Sequence, residues 1–207
     1  MAKSFGKPGR PREDHDARRD EIYDAVRPVV TRRGAGASVE ELAAAAGISV
    51  GGLYHYFSNK RELMLYPLLS DGPANRRCHA FKLRWEPVRH AEPRAYLNAF
   101  ADFSVAQIMW VRPAVMAALG MGADVFTQAA ESGLRANFDD FVDALSRISG
   151  PLSTTSLQSL AMALRRAYLG AALDPQVNEL ELRRTLGAIV GPYAARRVRE
   201  GEASLSA

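Results

Sequence analysis

The stretch GISVGGLYHYFSNKREL, Gly47 to Leu63, sets two adjacent glycines just ahead of three aromatic residues and a histidine. Each glycine costs a helix roughly 1 kcal/mol relative to alanine. Such a pair makes sense where backbone must come close to a large polyanion, because no Cβ then stands between them. Other chemistries are poorly served. The four histidines, His15, His55, His79 and His90, are scattered and lack metal-ligand spacing. No serine-elbow or phosphate-loop motif occurs, and the Gly-x-Gly of RRGAGAS follows a helical run rather than a strand. Cys78-His79 reads as a partly buried helical pair rather than a catalytic couple. The chain is therefore not expected to be an enzyme, and no metal or cofactor is implied.

Charge is distributed unevenly. The 207-residue chain has a net charge of +4. Lys3, Lys7, Arg10 and Arg12 fall within residues 1–12 without an acid, so the tail carries the whole excess and the body is neutral. Basic arms of this sort often meet nucleic acid. A composition of 47% hydrophobic and 24% charged residues is that of a globular chain with room for one or two domains. Charges break every long apolar stretch, the N-terminus lacks an apolar signal core, and Cys78 is the single cysteine. A cytoplasmic protein without a membrane partner is expected.

Helical periodicity dominates, and sustained period-two alternation is missing. Ile22, Ala25, Val26, Val29 and Val30 form one face of a first helix that contains Pro28 and ends at Gly34. Ser38 with Glu41 makes a capping box for an alanine-rich helix ending at Gly47. Ser49 caps the next, to about Phe57, and Asn59 with Glu62 caps a fourth, interrupted by Pro67 and closed by Asp71-Gly72-Pro73. Further helices are read at 74–89, 93–110, 112–119, 124–148, 153–173 and 178–199, punctuated by proline and glycine. The fold class is all-α. Its expected divisions are a basic disordered arm at 1–12, a helix-turn-helix domain at 13–70 and a helical domain at 71–207.

Within Ser38–Phe57, Ala43 provides the small residue where two helices cross and Gly47 the turn. Leu42, Ile48, Leu53 and Tyr56 anchor the pair. This is the pattern of a helix-turn-helix whose second helix enters the DNA major groove. Together with Gly34 before it and FSNKREL after it (Phe57, Lys60 and Leu63), the segment SVEELAAAAGISVGGLYHYF resembles the TetR family of bacterial transcriptional regulators. The resemblance covers about Ile22–Leu63.

It implies that Ser38, Ser49, Tyr54 and His55 bond phosphates, and that Lys60 and the amides opening the fourth helix hold another. At Val50 and Gly52 the sequence departs from the family's usual residues. Val50 can touch a thymine methyl, while Gly51 and Gly52 permit close backbone approach. Additional affinity is then expected from the arm. Lys7–Arg12, KPGRPR, resembles the core of an AT-hook that lies in the A·T minor groove; a tail making only phosphate contacts is the alternative.

For the remaining chain the resemblance implies a homodimer on a palindromic DNA operator, formed through the last two helices and released by a small-molecule effector. Leu157, Leu160, Leu164, Tyr168, Leu182, Leu186, Ile189 and Tyr193 are the interface candidates, with intramolecular core as the alternative. An apolar or aromatic effector is expected among Phe103, Gln107, Trp110, Met116, Phe138 and Phe141. Gln107 stands out because a polar group on an apolar face needs a partner. The competing function is a TetR-like protein-interaction module without sequence-specific DNA binding.

Overall fold

The computed structural model describes residues 15–133, 138–150 and 153–194, and these are helical without strands. The amino-terminal head consists of α1 (His15–Arg33), α2 (Val39–Ala45), α3 (Val50–Tyr56) and α4 (Lys60–Leu65), with 3-10 turns at Gly34–Gly36 and Tyr66–Leu68. The body comprises α5 (Pro73–Ala91), α6 (Pro93–Met121), α7 (Ala123–Gly133), α8 (Phe138–Ser149), α9 (Thr154–Leu173) and α10 (Glu179–Ala194).

Two apolar cores result. In the head, Ile22, Tyr23, Val26 and Val30 of α1 close over Leu42, Leu53, Phe57 and Leu63. In the body, Phe100, Val105, Ile108 and Val111 of α6 meet Phe141, Leu145, Leu160, Leu164 and Leu182. Ala117, Trp110 and Met121 of α6 also pack into the head core, so one helix serves both. At the crossing, a Cβ on Gly120 would sit 3.2 Å from Ala35 Cβ, which shows how closely α6 runs past the head.

One helical boundary differs from the sequence expectation. The break at Arg112-Pro113 does not occur, and α6 continues for 29 residues with Pro113 buried inside it. A proline forfeits one helical hydrogen bond there. Packing on both sides outweighs that loss, and Arg112 adds an anchor. Its guanidinium donates to the Ala171 carbonyl at 2.8 and 3.1 Å and to the Val177 carbonyl at 2.7 Å, tying α6 to the α9–α10 connection. Within the helix expected at 124–148, residues 134–137 lie outside the described ones, and α7 and α8 run on either side of them. Continuity also makes α6 long and apolar enough to suit a bilayer span by length and composition, contrary to expectation. Here it is the central core helix, packed by the others.

Arg19 links the helices of the head. Only 7% exposed, it lies with its guanidinium carbon 4.4 Å from the Tyr66 ring centroid and 4.9 Å from that of Phe57. Nη2 donates to Glu62 Oε1 at 2.5 Å. The other Glu62 oxygen accepts the Ser58 amide at 2.8 Å, so this carboxylate fixes both α1 and the entry to α4. A second set joins head to body: Asp20 of α1 accepts from Arg76 of α5 at 2.6 and 2.8 Å and from the Tyr66 hydroxyl at 2.8 Å. Burial, ahead of these partners, pushes the Tyr66 hydroxyl up to about 12.

Truncating Arg19 removes the charged partner of Glu62 Oε1 and opens a gap between two rings. Arg19→Ala is expected to lower unfolding stability by about 3 kcal/mol, whereas exposed Arg32→Ala should change it by less than about 0.5 kcal/mol. Urea titrations of both variants check the contrast.

Candidate nucleic-acid interface

The helix-turn-helix is built from local hydrogen bonds. Ser38 Oγ accepts the Glu41 amide at 3.1 Å while Glu41 Oε2 accepts the Ser38 amide at 2.8 Å, completing the capping box of α2. At its other end Gly47 adopts φ +66°, which suits glycine. The Gly47 amide donates to the Ala44 carbonyl and the Ile48 amide to the Ala43 carbonyl, both at 3.1 Å. This pair is a Schellman turn, and it uses carbonyls that the helix end would otherwise leave bare. Ser49 Oγ then accepts the Gly52 amide at 3.0 Å and starts α3.

Leu53 and Phe57 point α3 into the head core. Gly51, Tyr54 and His55 lie on the opposite face, one turn apart, and all are exposed, Tyr54 by 46%. Val50 is half-buried, and so is Tyr56, which packs between the rings of His15 and His55. Ser38 and Ser49 remain exposed; each hydroxyl oxygen accepts its cap bond, leaving the O–H able to donate outward. The outward edge of α3 is thus a bare backbone position followed by a phenol and an imidazole, all suited to an acceptor-rich surface.

The two glycines turn out to be different. Around Gly51 a Cβ would meet nothing nearer than Ser49 Oγ at 4.0 Å. At Gly52 a Cβ would press Ser49 Oγ at 3.3 Å and Ile48 Cβ at 3.6 Å. The missing Cβ of Gly52 thus spares the cap of its own helix, a reason within the chain that Gly51 lacks. Packing within the chain gives no reason for Gly51.

Lys60 also departs from expectation. Its ammonium donates to the carbonyls of Ala35 and Ala37 at 3.0 and 2.9 Å, bracing the α1–α2 connection. Two of its three N–H groups face inward, so phosphate capture is at most the work of the third. The arm residues Lys7, Arg10 and Arg12 lie outside the described residues. Within residues 15–70, seven lysines and arginines face seven aspartates and glutamates, so the head itself has no net charge.

The body candidates are regrouped. Phe103 stacks on Phe81 of α5 with centroids 4.5 Å apart. Gln107, 8% exposed, donates to the Ala74 carbonyl at 2.9 Å, while its Oε1 is buried without a partner among the described residues. Trp110 meets Tyr23 edge-on and lies beneath Arg77, lining a pocket of about 400 Å³ at the α1–α5–α6 junction. Met116 is half-buried further along α6, and nothing is described of the Phe138 side chain. Phe141 packs against Phe100 and lines a separate groove. These residues do not share one cavity, because the α6 face carrying Phe103, Gln107 and Trp110 is spent against α5 and α1.

Most of the interface stripe is likewise internal. Leu160, Leu164, Tyr168, Leu182 and Leu186 are buried in the chain's own body core, with Ile189 and Tyr193 packed against it and Leu157 half-buried. Helices α9 and α10 turn these faces toward α6 and each other. What they leave outside includes Met162, 54% exposed, and Leu180, 56% exposed. Sequence reasoning missed these two, and it missed Arg19 and Arg76, whose partners lie far along the chain.

The architecture is that of an all-helical protein with an amino-terminal helix-turn-helix head on a larger helical body. Residues 22–66 match the family model described as bacterial regulatory proteins, tetR family. The HTH-type transcriptional regulator PksA of Bacillus subtilis (strain 168) is 43% identical over 56 residues, a stretch that spans 27% of this chain and 27% of that protein. A solved TetR-family transcriptional regulator from Mesorhizobium loti MAFF303099 shares the fold, with a TM-score of 0.57 at 19% identity, over 88% of this chain and 98% of that one. The likeness to the TetR family lies in the amino-terminal domain, and the chain spans about a quarter of the length of the curated relative it matches.

Two variants test the local geometry. Gly51→Ala should raise stability by up to about 1 kcal/mol, whereas Gly52→Ala should gain less or destabilise because it presses on the cap hydroxyl; thermal melts of the pair read the difference. Lys60→Ala should cost about 1–3 kcal/mol through its two charged hydrogen bonds, measured by urea unfolding without any DNA present.

Proposed function

We propose that the chain is a DNA-binding transcriptional regulator, acting as a repressor that binds a palindromic operator as a cytoplasmic homodimer and is released by a small apolar effector. The observation that carries this reading is the outward edge of α3. Gly51 is bare with no packing reason inside the chain, and exposed Tyr54 and His55 follow on the same face. Duplex backbone pressed against that edge explains why the helix tolerates its glycine.

The neutral head sets a requirement. Affinity for duplex DNA rests mainly on cations that displace counterions. With charges balanced across residues 15–70, the excess of residues 1–12 is the natural supplement, and the family-like helix supplies position rather than charge. Pairing of two chains doubles both contributions. Exposed Met162 and Leu180, on the outer sides of α9 and α10, are where a second copy is expected to sit. A rigid pair would place two α3 helices about 34 Å apart, one turn of DNA.

The test is duplex binding by the full chain as salt rises from 50 to 200 mM. A dimer holding six or more phosphates should lose affinity on the order of 10³-fold. Tyr54→Ala and Gly51→Ala should each weaken binding severalfold while leaving the fold intact, and Gly51→Ala should do so despite its higher stability. Removing residues 1–12 should flatten the salt slope. A protein-interaction module would show no slope at all, and that result overturns the proposal.

A further inference from the structure

The body holds a groove of about 630 Å³ between the first turns of α6 and the helices α8, α9 and α10. This is within the size range of small-molecule sites. Its floor is apolar: Phe100, Phe141, Leu164, Tyr168, Leu186 and Val190. Tyr168, only 7% exposed, presents its ring to this floor with its hydroxyl beside Ser104.

The mouth is polar and charged. Arg94, Asn98 and Asp102 of α6 face Arg183 of α10. Arg183 is paired with Asp102, while exposed Arg94 has no carboxylate partner among the described residues. Two guanidinium groups against one carboxylate leave a single positive excess above an oily bed.

A glycine completes the site. Gly187 lies inside α10 and lines the groove, and a Cβ built there would meet nothing within 4 Å. A helix-interior glycine is costly, and packing within the chain does not demand this one. A larger side chain at 187 would project into the space above the floor.

We infer that this groove binds a monocarboxylic acid with an apolar body, the carboxylate reaching Arg94 and Arg183 and the body lying on Phe100, Phe141 and Leu164. One negative charge balances the excess, and the planar guanidinium fork matches a carboxylate in two-point hydrogen bonding. A cation would be repelled, and a neutral molecule would leave Arg94 unanswered. The inference deepens the effector reading and rests on it for its regulatory meaning, but binding itself can be measured without DNA.

Calorimetric titration of the full chain with decanoate, using decan-1-ol as the neutral control of equal length, tests it. Decanoate should bind at least tenfold more tightly than the alcohol. Arg94→Gln should abolish that preference without weakening the alcohol, and Gly187→Leu should weaken both ligands more than tenfold while its melting temperature is maintained. Equal affinities of acid and alcohol would overturn the proposal. So would a Gly187→Leu variant that loses its dimer but keeps its decanoate affinity, since the bare glycine would then belong to the interface between copies. Decanoate added to a preformed protein–duplex complex separates the two claims. Release supports an effector site, and an intact complex with the acid demonstrably bound overturns that role. Failure to bind duplex even in dilute salt would sink the regulator reading and leave calorimetry to decide the groove.

Discussion

A buried guanidinium holds the head together. Arg19 enters from α1, is clasped by Glu62 at the start of α4, and lies against the rings of Phe57 and Tyr66. Such a charge is unfavourable in a core unless its neighbours answer it, and here a carboxylate and two π faces do so. Because Glu62 also receives the Ser58 amide, the same group sets where α4 begins relative to the end of α3. The presentation of Tyr54 and His55 therefore depends on an ion pair on the far side of the helix that carries them.

How much of this was legible in the sequence follows from the range of each interaction. The caps by Ser38, Ser49 and Asn59 act over three residues, and the glycine turn at 47 acts over five; their signals are written locally. Lys60 looked like a surface cation because its carbonyl partners, Ala35 and Ala37, lie more than twenty residues back. Arg19 had no local signal at all. Leu160, Leu164 and Leu182 announced a buried face, but an apolar stripe does not say whether its partner is the same chain or another. Pro113 showed the opposite error: a local helix breaker was overruled by Arg112 and the packing around α6.

The charge pattern divides labour between segments. A head with balanced charge can dock in a defined orientation without clinging to every polyanion it meets, and the lysines and arginines of residues 1–12 can supply attraction separately. The side chains on α3 add little base-reading capacity, since Val50 is half-buried and Gly51 and Gly52 offer no functional group. In such an arrangement, shape and groove width would contribute more to selectivity than direct hydrogen bonds to bases.

Helix α6 belongs to both cores, and this has a mechanical consequence. Asp102, at the mouth of the groove, and Ala117, in the head core, are on one rod, about 22 Å apart at the usual rise per residue. Tilting that rod by about 5° around one end would carry the other about 2 Å sideways. Such a lever needs no chain of switching side chains between its ends. Stiffness alone would transmit the motion, and Gly120 marks one place where the rod runs close past the head, at Ala35.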